Sequence, residues 1–142
     1  MPFIIYPQQD NKLAVIIPTR DVNDAIKDVP VDTPYAIVDS LGGVDNDYFD
    51  GFIYSDGQAI PDMAACKNIH LNRFRAARAP KLAALDVAFM RAVEQGDATK
   101  QAEIAAEKQE LRDITKTPLP DTLEEIKAVW PSALDPRPST QS

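Results

Sequence analysis

"MAACKNIHLNRFRAARAPKLAALDVAFMRAVEQGD", residues 63–97, decides the fold. Helical composition begins directly after Asp62, a residue type that caps helix N-termini, and stops at Gly96. Beyond Pro80 the pattern is clean: Leu82, Leu85, Phe89, Ala92 and Val93 fall on one face at helical spacing. Before it the stripe is poorer, because Leu71 and Phe74 share their side with Arg78. Pro80 lacks an amide N–H and its ring crowds the preceding turn, so a kink or a division is expected there.

Working outward toward the C-terminus, "ATKQAEIAAEKQELRDIT", residues 98–115, predicts a second long helix with a narrow stripe of Ile104, Leu111 and Ile114. "EQGDAT" turns the two into a hairpin. So few large apolar side chains cannot offset the backbone entropy lost in ordering two long helices. The hairpin must therefore pack on a sheet, on a copy of itself, or on another protein. Next comes a strap punctuated by Pro118 and Pro120, in which Thr122-Leu123-Glu124-Glu125 matches a capping box for a helix of about two turns. Leu123, Ile126 and Trp130 share its face, and Pro131 ends it. Trp130, the only tryptophan, either packs back on the chain's own core with Leu119 and Leu123 or contacts a partner, where tryptophans concentrate binding energy. From Leu134 onward the composition is that of a disordered tail.

Toward the N-terminus the chemistry changes. Residues 1–62 hold eleven acids and three bases, and every acid is aspartate. Aspartate competes for local backbone N–H groups and so favours turns and caps over helix interiors. "FIIY" (3–6), "KLAVII" (12–17), "YAIVDS" (35–40) and "FIYSDGQAI" (52–60), the last with Asp56-Gly57 as a turn signal, read as four short strands in one small sheet, the first two joined as a hairpin. Such a sheet can be wet on one face only. The prolines of residues 18–34 leave room for one helical turn around Asn23–Lys27. The expected organisation is thus α+β: a small antiparallel N-terminal sheet (1–60), a kinked helical hairpin (61–117) and a Pro-rich C-terminal strap and flexible tail (118–142).

The composition excludes several function classes. At net charge −7 the chain is repelled by phosphate, which argues against nucleic acid as a partner; the basic stretch 63–95 complements the acidic lobe or an acidic partner instead. No apolar run approaches the roughly 18–20 residues of a membrane span, and the opening "MPFIIYPQQD" has no basic residue of a signal peptide. Cys66 stands alone, so no internal disulfide forms and a buried thiol is expected, with an interchain bridge the other reading. No catalytic constellation is present. His70 is the only histidine and reads as a packed helix residue. Cys66 lies one turn from it, with Lys67 and Arg73 near enough to lower the thiol's pKa, but there is no third orienting group. "DNDYFDG", residues 45–51, misses the ligand spacing of a calcium loop and reads as a solvated acidic loop. No metal or cofactor is implied. Tyr48, Phe52 and Tyr54 beside those acids suit a protein-facing surface or strand core.

The order "RFRAARAPKLAALDVAFMRAVEQGD", "IAAEKQELRDI", "TKTPLPDT" and a final "WP" resembles the tail fibre assembly chaperones of tailed bacteriophages over about residues 67–131. "FIIYPQQDNKLAVIIPT" is similar in style to the β-rich start of the same proteins. The resemblance implies binding rather than turnover: attachment to a tail fibre protein, help with its folding or trimerisation, in the host cytoplasm, with retention on the virion tail left open. The matching positions are Leu111, Arg112, Asp113, Trp130 and Pro131; "DYFDGFIYSDGQAI" has no counterpart. The expected partner-binding residues are Tyr48, Phe52, Tyr54, Leu119 and Trp130, with Cys66 the candidate for an interchain disulfide. The alternative is a permanent minor structural component of the tail or baseplate, and a homo-oligomer is compatible with both.

Overall fold

The computed structural model describes residues 2–135 and 137. The chain is α+β. Strands β1 (Phe3–Pro7), β2 (Leu13–Ile16), β3 (Ala36–Val38), β4 (Phe52–Ser55) and β5 (Gln58–Pro61) precede helices α2 (Met63–Glu94), α3 (Ala98–Asp113) and α4 (Leu123–Ala128), with a short helix α1 (Val22–Ala25) between β2 and β3. Two compact units divide the chain within α2, one ending at Cys66 and the other starting at Lys67. Hairpin and strap thus belong to one unit.

In the first unit β1 is central, in the order β2-β1-β3, antiparallel on both sides, with Ile4 opposite both Ile16 and Ile37. Successive strand residues point to opposite faces, yet Ile4 and Ile5 are both buried. At β1 neither face is wet. The expected fourth strand is instead a hairpin, β4 paired with β5, joined to the end of β2 by a single bridge between Lys12 and Ile53. The reason lies at its tip. Asp56 and Gly57 have φ of 47° and 79°, as the two central residues of a type I′ turn require, so the chain reverses there. Tyr48 and Phe52 complete this core.

The aspartates behave as their chemistry demands. Asp21, Asp45 and Asp62 each accept a hydrogen bond from a backbone amide two residues on, and Asp10, Asp32 and Asp56 occupy positive φ, where a short polar side chain is tolerated. Asp45 caps a 3-10 turn over Asn46–Gly51 that drives Tyr48 inward, so the expected acidic loop is partly core.

In the second unit α2 runs unbroken across Pro80. The missing proline amide would have bonded the carbonyl of Ala76; both residues are exposed, so the break in the ladder falls on the solvent side of the helix. At the far end Gly96, at φ 67°, donates to the Val93 carbonyl and Asp97 to that of Ala92, a Schellman closure that needs a left-handed residue. Asp97 then caps α3 through the Lys100 amide. The two helices are antiparallel: Gln101 reaches the Ala92 carbonyl, Lys108 pairs with Asp86 and lies over the Phe89 ring, and Arg78 meets the end of α3. Their core is Phe74, Leu111, Ile114 and Leu134, flanked by Leu71, Leu82, Leu85, Leu119, Val129 and Trp130. Leu134, expected to begin a free tail, is buried within a 3-10 turn, Ser132–Leu134. The remainder of that tail, 136 and 138–142, lies outside the described residues.

Candidate partner-binding surfaces

The strap is held onto α2 by four kinds of contact. Nε2–H of His70 donates to the Val129 carbonyl at 2.8 Å, and the ring stands edge-on to Phe74 at 4.8 Å. Trp130 meets the same Phe74 edge-to-face at 5.6 Å, with the Arg137 guanidinium 5.4 Å from its ring centre. Lys67 pairs with Asp121 at 2.8 Å, which holds that carboxyl below its usual range. Lys81 donates to the Asp135 carbonyl. Thr122 Oγ1 accepts from the Glu125 amide, the first half of the expected capping box. These contacts place Trp130 and Leu119, both half-buried, against their own unit's core. Among the described residues, the indole Nε1–H of Trp130 is enclosed without an acceptor.

His70 is a packed histidine. Its ring is fully buried, and burial, the largest influence, pushes its pKa below the ordinary 6.5; the nearby Arg137 and Arg73 charges act the same way and the Val129 bond opposes them. Cys66 is likewise buried, its thiol donating to the Gly51 carbonyl at 3.7 Å. Burial, and then the carboxylates of Asp62 and Asp45, push the thiol's pKa up, the reverse of the lowering that Lys67 and Arg73 suggested. A protonated, enclosed thiol is a poor nucleophile, and the burial of Cys66 counts against the interchain disulfide.

Tyr48 and Phe52, expected on a partner-facing surface, are each about 1% exposed. They present nothing to a partner here, because the Asp45-capped turn and the β4 register point them into the core of the first unit. Tyr54 is half-buried on β4 opposite Ala59. Of the positions carrying the resemblance, Leu111 is buried, the Arg112 carbonyl receives Arg78, and Asp113 bonds Lys116 and Gln109. All serve the hairpin itself. A groove of about 470 Å³ between α2, α3 and the turn at Ser132 is lined by Lys81, Leu85, Glu107, Glu110 and Leu111.

The bare apolar surfaces lie elsewhere. In the first unit, β3 forms an edge of the sheet, hydrogen-bonded to β1 alone. Ile37 on the strand and Tyr35, the residue just before it, are 45% and 43% exposed. Two residues apart on an extended chain, they were legible as a same-face pair. In the second unit, Val87, Met90 and Val93 of α2 are 52%, 60% and 47% exposed. Val93, expected on the inward stripe, is thus turned out; Ala92 alone of that pair is buried. Among the described residues no group of three or more His, Cys, Asp or Glu side chains could hold a metal ion, and no helix is long and apolar enough to cross a membrane. No family model matches this chain, and neither a curated protein nor a solved structure does.

Proposed function

We propose that this protein is a non-enzymatic binding protein that takes an extended segment of a β-rich partner onto the edge of its N-terminal sheet. With the resemblance of its helical half, the partner is a phage tail fibre protein that it helps to fold or trimerise. The observation that carries this reading is the β3 edge, which among the described residues pairs with β1 alone and carries the exposed Ile37, with exposed Tyr35 just before it. A fibre chain awaiting its two sisters exposes strand edges that aggregate unless covered. An added strand satisfies those edges through main-chain hydrogen bonds, while alternate side chains give selectivity. Only three residues long, β3 offers a short template, which limits pairing with unintended strands.

The test is co-expression with a candidate long tail fibre protein, followed by affinity capture and mass measurement of the complex. The wild-type chain should be captured, and Ile37→Lys, which sets a charge on the edge, should reduce capture at least about tenfold without altering the thermal transition. Capture undiminished by Ile37→Lys contradicts the edge as the binding surface; no capture by any fibre protein contradicts the function. Washed particles separate the two forms of the reading. A chaperone is absent or substoichiometric there, whereas a permanent tail component is present in fixed symmetric copy number.

A further inference from the structure

The outer face of α2 has its own sequence pattern. Ala76, Pro80, Ala83, Val87 and Met90 succeed one another at alternating spacings of four and three, the a/d repeat of a two-stranded coiled coil. Arg73 and Glu94 occupy the next positions of the series and end it. All five apolar positions are exposed. At 3.6 residues per turn they lie half a turn round the helix from Phe74, Leu85 and Ala92, the residues that face inward. The buried contacts of α2 made by Phe74, Leu85 and Ala92 are therefore on the opposite side. The small residues leave the backbone open to close approach, and Val87 and Met90 supply the knobs.

The flanks of this stripe choose the occupant. With Val87 at an a position and Met90 at a d position, Asp86 falls at g and Arg91 at e. In a parallel pair the g residue of one helix meets the e residue that follows on the other. A two-fold axis along the seam would thus set Asp86 of each copy beside Arg91 of its mate, satisfying one acid and one base twice by symmetry. Reversing one helix instead sets Asp86 beside Val93 and Arg91 beside Ala84, with no charge matched. Asp86 uses one carboxylate oxygen on Lys108 of its own chain, and its side chain remains 61% exposed, so the other oxygen is free to accept.

We propose that two copies of this chain pair in parallel through the outer face of α2, with Ala83, Val87 and Met90 meeting their counterparts and Asp86 bonding Arg91 across the interface. This pairing uses a different unit from the β3 edge and stands independently of the fibre reading.

Sedimentation equilibrium of the full chain tests it. A reversible dimer is expected, and Val87→Asp should weaken it by more than about tenfold while leaving the helical circular dichroism unchanged. Arg91→Glu should weaken it by about tenfold through two repulsive pairs, and Asp86→Arg combined with Arg91→Glu should restore it. In a Cys66→Ser background, Ala83→Cys and Met90→Cys should each oxidise to a disulfide-linked dimer, since a parallel seam brings every such residue to its own copy. A chain that stays monomeric up to about 1 mM overturns the proposal. So does a dimer indifferent to Val87→Asp, or one that cross-links only when the two cysteine variants are mixed.

Discussion

The two sides of α2 carry different residues and meet opposite fates. On the inner side, Phe74 is closed over by Trp130 and Leu134, and His70 holds the strap's Val129 carbonyl. On the outer side, Val87 and Met90 are more than half exposed. The inner face carries the larger apolar side chains, Phe74, Leu82 and Leu85, and it is to that face that the strap punctuated by prolines returns, through Val129, Trp130 and Leu134. The outer face is the one proposed above to meet a second copy of the chain.

The sharpest way to break this contrast is to empty the inner face. Phe74→Ala should cost about 3–5 kcal/mol, read as a lowered denaturant midpoint, because it removes a buried ring and the seat of both His70 and Trp130. Trp130→Ala should cost about 2–4 kcal/mol, less than Phe74 because the indole is only half-buried, and loss of less than about 1 kcal/mol would show that the strap is not anchored there.

Acid provides a milder probe of the same face. His70 is the only histidine, and its pKa in the fold lies below the 6.5 of the free side chain. The unfolded chain therefore takes up a proton first as pH falls. Stability from this group is complete above about pH 6.5, declines as pH drops through that value, and levels off once the folded ring is protonated too. The midpoint should fall between about pH 7.5 and 5.5, and His70→Gln should flatten that slope whatever it does to absolute stability. A slope unchanged in His70→Gln would assign it to other groups. The smallest effect belongs to the outer face: Val87→Ala should move the stability of the dilute chain by no more than about 0.5 kcal/mol.

Local chemistry was the most legible part of the sequence. Asp62 and Asp97 at helix starts, Thr122 before Glu125 and Gly96 at the hairpin turn all do in the fold what their residue types dictate without help from tertiary context. The α+β division followed from the same signals. What could not be read was direction. Tyr48 and Phe52 beside acids suit an exposed loop or a core equally until the 3-10 turn at Asn46–Gly51 fixes which way they point. Arg78 looked like a flaw in an apolar stripe. It is inward because its guanidinium donates to the Leu111 and Arg112 carbonyls at the end of α3, where unpaired carbonyls and the helix dipole favour a cation. Leu134 looked like tail because its neighbours are polar and proline-rich, whereas its burial comes from a distant partner, the hairpin core. The candidate surfaces, Ile37 on an edge and Val87 on a bare face, are defined by what does not cover them, a property of the whole fold.

Amide hydrogen exchange of the full chain, alone and bound to a co-expressed tail fibre protein, addresses the proposed function most directly. Strand addition should slow exchange over residues 35–38 and leave the already paired central strand, Phe3–Pro7, unchanged. A stable complex in which residues 35–38 exchange as fast as in the free chain would contradict it.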